Sequence, residues 1–445
     1  MRVLLIGDHP DGLALVLALT AQGKHVCTAY AGPAALLDAL KVKGLLPAWV
    51  KDAEAALALK DIDAVVVADD LMHRPQLLKR ALQSDKHVFC VYPPDLDPNI
   101  AYEALAIQLD THKQLLPLML GRLSPALQFI QQTTRQQRWG SLQHLELEVG
   151  FPLTADLLAE KPNVPMPAAK MRQVLKELDR VWERHPLLHL WDVLRCCGVE
   201  VQELTALMGH GTELSPRERI NITGRFQNEA FFQFLLQPLP AEHMPTLRCL
   251  WRGNRGEWEW KAPHGLEGAS TWESRCKDQP AEAAELPGCE RTSLWNQYVS
   301  ALEENQPLPT WTDATRCLEL FDAVRRSVRR RRTIVLDYEA ASELSNFKST
   351  MTALGCGVLI LCMVLFFATP TFPWLKYLIF PILLLYMSLQ IFRYFARETP
   401  PGWEAAEPVD ALPTVRQGSL DGPAPTQQTE SQPSQPAHEQ HHNQA

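Results

Sequence analysis

The sequence predicts an α/β domain on a doubly wound parallel sheet, then an α+β domain with an open, mainly antiparallel sheet, a two-helix transmembrane hairpin and a disordered tail. Three observations predict it. Apolar strand-like runs alternate with helical stretches through residues 1–120, the rhythm of a parallel sheet. Residues 121–340 turn to period-two alternation and hairpin signals. Residues 349–397 carry two apolar runs, and beyond residue 399 the chain becomes rich in Pro, Gln, Ser and Glu.

Bulk properties set the bounds. A chain of 445 residues suggests two folded domains plus extras. Its net charge of -8 argues against a general nucleic-acid binder. The 10 cysteines show no C-x-x-C pair and no metal-ligand spacing, which predicts reduced, mostly buried thiols and no metal. "MRVLLIG" begins a strand at once, so no secretory signal is expected.

In chain order, "RVLLIG" is a continuous apolar run, as expected of a strand covered on both faces. "DGLALVLALTAQG" follows as a helix closed by Gly23. "HVCTAY", "IDAVVVAD" and "HVFCVY" are the next strands, separated by the helices "PAALLDALKVKG" and "RPQLLKRALQSD". A Rossmann-like nucleotide-binding sheet is the economical reading. Its phosphate turn belongs at the end of the first strand, where the chain reads Gly7-Asp8-His9-Pro10-Asp11-Gly12. The first and third glycines of G-x-G-x-x-G are present, and His9 replaces the middle one, which lets backbone approach a pyrophosphate. Asp8 and Asp11 put negative charge at a helix N-terminus, which suits the helix dipole and repels a phosphate. The second strand ends Thr28-Ala29-Tyr30, without a carboxylate for a ribose hydroxyl or an arginine for a 2'-phosphate.

The block "DIDAVVVADDLMHRPQLLKRALQSDKHVFCVYPPDLDP" resembles one found in the Gfo/Idh/MocA family of NAD(P)-dependent sugar and cyclitol oxidoreductases. "WNQYVSALEENQPLPTWTDATRCLELFDAVRRSVRRRRTIVL" is similar to that family's closing segment, in which a helix returns to the first domain. Here Thr312 is read as an N-cap, with Ala314, Cys317, Leu318, Phe321, Val324 and Val328 on one face. The resemblance spans roughly residues 1–337. It implies NAD or NADP as cofactor, a sugar-like small molecule as ligand, and nucleotide-binding positions at Gly7, His9, Gly12, Ala68, Asp69, His73 and Pro93.

The same resemblance locates the chemistry. The family's glutamate-lysine-proline is matched by Val91, Tyr92 and Pro93, so Tyr92 stands where a lysine would touch the reacting oxygen. A phenol with a reference pKa of about 10 donates a hydrogen bond but supplies no ammonium charge. Tyr92 is either a neutral catalytic donor or a side chain packed at the edge of a cleft. In "HPLLHLWDVLRCCG", His189 takes the family's histidine place and His185 that of its aspartate. At i, i+4 spacing the two share a helix face, which leaves three readings: an acid/base pair, a metal couple lacking a third ligand, or buried structural histidines.

Further along, "LQHLELEVG", "RINITGRF" and "EAFFQFLLQP" are strand candidates, and "LRCLWRGNRGEWEWK" is a hairpin around residues 253–256. Its Trp251, Trp258 and Trp260 either stack on a sugar or cover a core or interface. No charge occurs from residue 349 to 375, and a second run covers 377–392. Arginines at 325, 326 and 329–332 precede the first run, and Arg393 and Arg397 follow the second. This charge asymmetry places the folded domains on the cytoplasmic side of the cell's inner membrane. The expectation is a membrane-anchored binding or scaffold protein with degenerate cofactor and catalytic motifs, pairing through its second sheet. The alternative is an active NAD(P)-dependent oxidoreductase using Tyr92 and His189.

Overall fold

In a computed structural model the described residues are 1–336, apart from 137, 154–182, 210, 212 and 278. Strands β1 (Arg2–Gly7), β2 (Val26–Ala31), β3 (Ala48–Trp49), β4 (Ala64–Ala68), β5 (His87–Val91) and β6 (Leu115–Leu118) form one sheet in the order β3-β2-β1-β4-β5-β6. Every pairing in it is parallel. The crossovers are helices α1 (Pro10–Ala21), α2 (Ala34–Val42), α3 (Ala53–Leu57), α4 (Arg74–Gln83) and α5 (Pro98–Thr111).

Unbroken apolar strands are needed because both faces are covered. On β1, Leu4 and Ile6 pack with Leu78 and Leu82 of α4. Val3 and Leu5 of the same strand pack with Leu15 and Leu19 of α1. Strand order reverses between β1 and β4, so a crevice opens beyond their C-terminal ends, where Gly7 and Ala68 lie side by side.

After helix α6 (Pro125–Arg135) come β7 (Leu142–Pro152), helix α7 (Pro186–Cys197), β8 (Val201–Met208), β9 (Ile220–Phe226), β10 (Phe231–Leu239), β11 (Thr246–Gly253), β12 (Gly256–Ala262), β13 (Ser270–Cys276) and β14 (Gln279–Leu286). With β15 (Ile334–Val335) they make a nine-stranded sheet in the order β14-β13-β12-β11-β7-β10-β9-β8-β15. The sheet is mixed: β7 and β10 run parallel, and the other pairs are antiparallel. The tryptophans of the β11–β12 hairpin belong to the core, for Trp251 and Trp258 stack at 6.2 Å between ring centroids and Trp260 is fully buried.

Two helices close the chain back on the first domain. Helix α8 (Arg291–Glu303) packs on α1 through Leu294, Trp295 and Tyr298. Helix α9 (Trp311–Arg330) starts with a capping box in which Thr310, not Thr312, is the N-cap and Asp313 its partner. Trp311 Nε1 donates to the Ala101 carbonyl of α5 at 2.8 Å. Among the described residues, no helix is long and apolar enough to cross a membrane. The expected hairpin at 349–397 and the tail lie outside the described residues.

Candidate functional site

A cavity of about 470 Å³ lies at the strand-order reversal, lined by His9, Asp11, Tyr92, Glu183, His189 and Arg291 among others. The turn that starts it is set by two glycines. Gly7 has φ +96°, and a Cβ there would lie 2.2 Å from the Ala68 carbonyl oxygen. A Cβ on Gly12 would meet the Ala68 Cβ at 2.2 Å, so this glycine lets α1 press against β4. His9 between them is the N-cap of α1, its Nδ1 accepting the Asp11 N–H at 3.2 Å. Nε2 then carries the ring proton and faces Glu183 Oε1 at 3.3 Å.

Glu183 is the hub of the cavity. Arg74, at 0 % exposure, gives Nη2 to Glu183 Oε1 at 2.5 Å, Nη1 to the Pro93 carbonyl at 2.6 Å, and Nε and Nη2 to the Asp69 carbonyl at 2.9 and 2.6 Å. The backbone carbonyl of Glu183 takes His189 Nε2 at 2.7 Å. A carbonyl only accepts, so His189 carries its proton on Nε2 and leaves Nδ1 as an acceptor. Burial lowers the pKa of His189, and burial also lowers that of His9 with Arg74 adding and Glu183 opposing, so both rings are neutral near pH 7. At the mouth, Arg291 joins Asp11 at 2.6 Å and Glu267 at 3.0 Å.

The three expected catalytic residues have different fates. Tyr92 and His189 meet edge to face at 5.5 Å and both line the cavity. The Tyr92 hydroxyl is spent on the Leu188 carbonyl at 3.2 Å, and burial raises its pKa well above 10. His185 is the N-cap of α7, its Nδ1 accepting the Leu187 N–H at 3.2 Å, with Pro186 at the first helical position. Its ring packs on Phe151 at 4.9 Å, and burial lowers its pKa to about 3. Of the three readings of this pair, the structural one fits His185, which is buried and starts the helix from the position before Pro186.

The remaining family positions follow. Val91 is fully buried. Asp69 turns Oδ1 to the Asp70 N–H at 2.8 Å, and His73 Nδ1 lies 3.0 Å from Asp70. Behind the cavity, Arg122 bridges Asp192 at 2.6 Å and Asp313 at 2.7 Å, and Arg195 joins Asp313 at 3.2 Å and Glu200 at 2.5 Å. Sequence reasoning missed Arg74, Glu183, Arg122 and Arg291, because each acquires its role from a partner distant in the chain.

A dinucleotide needs open N–H groups at the α1 N-terminus and a hydroxyl acceptor after β2. The residues present do not fit it. The His9 ring caps the helix, Glu183 lies against that ring, and Asp11 occupies the first turn. After β2, Tyr30 is buried with its hydroxyl on the Pro33 carbonyl at 3.1 Å, and Trp49 Nε1 donates to the Gly32 carbonyl at 3.1 Å.

No protein-family model matches this chain, and no curated protein matches it in sequence. Solved structures do match in fold. Levoglucosan dehydrogenase in complex with NADH and L-sorbose has a TM-score of 0.62 at 14% identity, covering 76% of this chain and 99% of its own. An NAD binding oxidoreductase from Klebsiella pneumoniae has a TM-score of 0.60 at 12% identity, covering 76% of this chain and 99% of its own. Aldose-aldose oxidoreductase from Caulobacter crescentus complexed with glycerol has a TM-score of 0.57 at 14% identity, covering 75% and 99%. Through its two sheets and their connecting helices, the chain has the Gfo/Idh/MocA fold of these oxidoreductases.

Proposed function

We propose that this chain is a binding or scaffold protein built on a sugar-dehydrogenase fold, with degenerate NAD(P) and catalytic sites. The observation that carries this reading is the contact of His9 and Arg74 with Glu183 at the phosphate turn. Hydride transfer from an alcohol also needs a base for the hydroxyl proton and a donor or cation for the developing charge. Nδ1 of His189 can accept a proton, but the Tyr92 hydroxyl is already committed to Leu188. Titration calorimetry of NADH and NADPH is expected to give no binding or very weak binding. Dissociation constants of about 1 to 10 μM, near -7 to -8 kcal/mol, together with sugar or cyclitol turnover abolished by His189→Ala, would instead establish the active oxidoreductase.

The proposal includes a membrane tether that holds the folded domains at the cytoplasmic face of the inner membrane. It is supported by the apolar runs at 349–375 and 377–392 and by exposed Arg329, Arg330, Arg331 and Arg332 at the end of α9. Full-length protein should pellet with membranes, and truncation after Tyr338 should release it. Full-length protein that stays soluble without detergent removes the tether from the proposal. Self-association through the outer face of the second sheet is the partner reading. Phe231 and Leu207 are exposed there among a charged ladder in which Arg248 meets Glu148 and Glu259. Sedimentation showing monomer alone would remove it.

A further inference from the structure

We propose that Glu183 fills the anion position of the cleft with the protein's own carboxylate, and so sets a preference for uncharged or cationic polar ligands over phosphates and carboxylates. This rests on the reading that the cleft is not a working nucleotide site, and it says what the cleft takes instead. The case begins with Arg74. A guanidinium with no solvent exposure requires a counter-anion, because an uncompensated buried charge is costly. The acceptors of Arg74 are the neutral carbonyls of Asp69 and Pro93 and one charged group, Oε1 of Glu183.

The same oxygen faces His9, the cap of α1, so Glu183 lies where a guanidinium, an imidazole and a helix N-terminus converge. That convergence is what an incoming phosphate or carboxylate would seek. Other lining acids are held differently. Asp11 and Glu267 share Arg291 at the mouth, and Asp192 is bound to Arg122 behind the wall. Residue 183 alone among these acids also ties His189, through its backbone carbonyl. An anion seeking the position between Arg74 and the start of α1 must either displace Glu183 from Arg74 or settle beside its carboxylate, and both are unfavourable.

The test uses the full chain as wild type, Glu183→Ala and Glu183→Gln, with sodium acetate and inorganic phosphate as probes. Calorimetry and thermal midpoints are read, and NADH is titrated into wild type in parallel. We expect both variants to bind acetate or phosphate at least about tenfold more tightly than wild type, Ala more than Gln, with a matching rise in midpoint. Glu267→Gln removes a carboxylate from the same cavity wall and should gain nothing. If Glu183→Ala fails to fold alone but folds in acetate, the proposal is supported by rescue. It is overturned if both variants fold by circular dichroism and gain no anion affinity. It is equally overturned if the Ala variant is not rescued and the Gln variant gains nothing. No NADH binding and no gain sinks this inference alone. NADH binding to wild type sinks the reading of the cleft and this inference with it, because the dinucleotide carries the phosphates that Glu183 is held to disfavour.

Discussion

Two clusters of buried charge join the domains, and they are built on opposite plans. On the cleft floor, a single guanidinium, Arg74, meets a single carboxylate, Glu183, with neutral carbonyls for its other donors. On the far side, cations and acids alternate: Arg122 holds Asp192 and Asp313, while Arg195 holds Asp313 and Glu200 and approaches Asp192 at 3.7 Å. The second cluster is redundant. Removing Arg122 leaves both Asp192 and Asp313 with Arg195, whereas removing either member of the first leaves a charge alone in the interior. Redundancy suits a seam whose task is to hold. A lone pair suits a wall whose charge decides what enters.

The largest expected effect follows directly. Arg74→Met strands Glu183 and frees the Asp69 and Pro93 carbonyls, which should cost about 3–5 kcal/mol in urea unfolding. Arg122→Met leaves Asp192 and Asp313 with Arg195 and should cost less, about 1–3 kcal/mol. The double variant Arg74→Met with Glu183→Leu should recover part of the first loss, since replacing both partners removes the stranded charge. An equal or larger loss for Arg122→Met would erase the distinction between the clusters.

The division between what the sequence revealed and what it hid runs along the same line. Gly7 and Gly12 were legible because their tasks are local: one gives a positive φ beside Ala68 and the other lets α1 touch β4. The parallel strands were legible because burial on both faces requires apolar runs. The departure at His9 could also be read, because a pyrophosphate needs bare backbone there. What took its place could not be read, since Glu183 lies 109 residues from Arg74 and its role is created by the fold. The choice among the three readings of His185 had a local clue in the sequence. Pro186 marks a first helical turn, which makes His185 a cap. Trp251, Trp258 and Trp260 allowed two readings, and only the register of β11 with β12 turns them inward.

A smaller effect tests the histidines by pH. His185 titrates near 3 when folded and near 6.5 when unfolded, and burial shifts His9 and His189 in the same direction. A depressed histidine pKa means that the unfolded chain binds the proton first. Its contribution to stability is complete above pH 6.5 and is lost as pH falls below it. Glu319, which burial pushes up to about 7, opposes this trend, although its ion pair with Arg316 at 2.9 Å favours the charged form. That group is common to wild type and His185→Asn, and asparagine preserves the cap. The difference between the two should therefore isolate one proton, about 1.4 kcal/mol per pH unit between pH 6 and 5. Parallel curves across that window would show that His185 is not held neutral by burial.

The smallest expected effect is also the sharpest test of the cleft. His9→Gly restores the middle glycine of the phosphate turn and removes a ring that is 18 % exposed and 3.3 Å from Glu183. Glycine caps a helix nearly as well as a polar side chain, so the loss in stability should be only about 0.5 kcal/mol. If position 9 were the whole obstacle, NADH would now bind. The structure leaves two others in place, the Glu183 carboxylate on Arg74 and the Asp11 carboxylate on Arg291. Calorimetry should accordingly find no NADH binding to His9→Gly and detectable binding only when Glu183→Ala is added. Micromolar binding to the single variant would mean that Glu183 yields to a phosphate, and the cleft floor would then be a displaceable latch instead of a fixed wall.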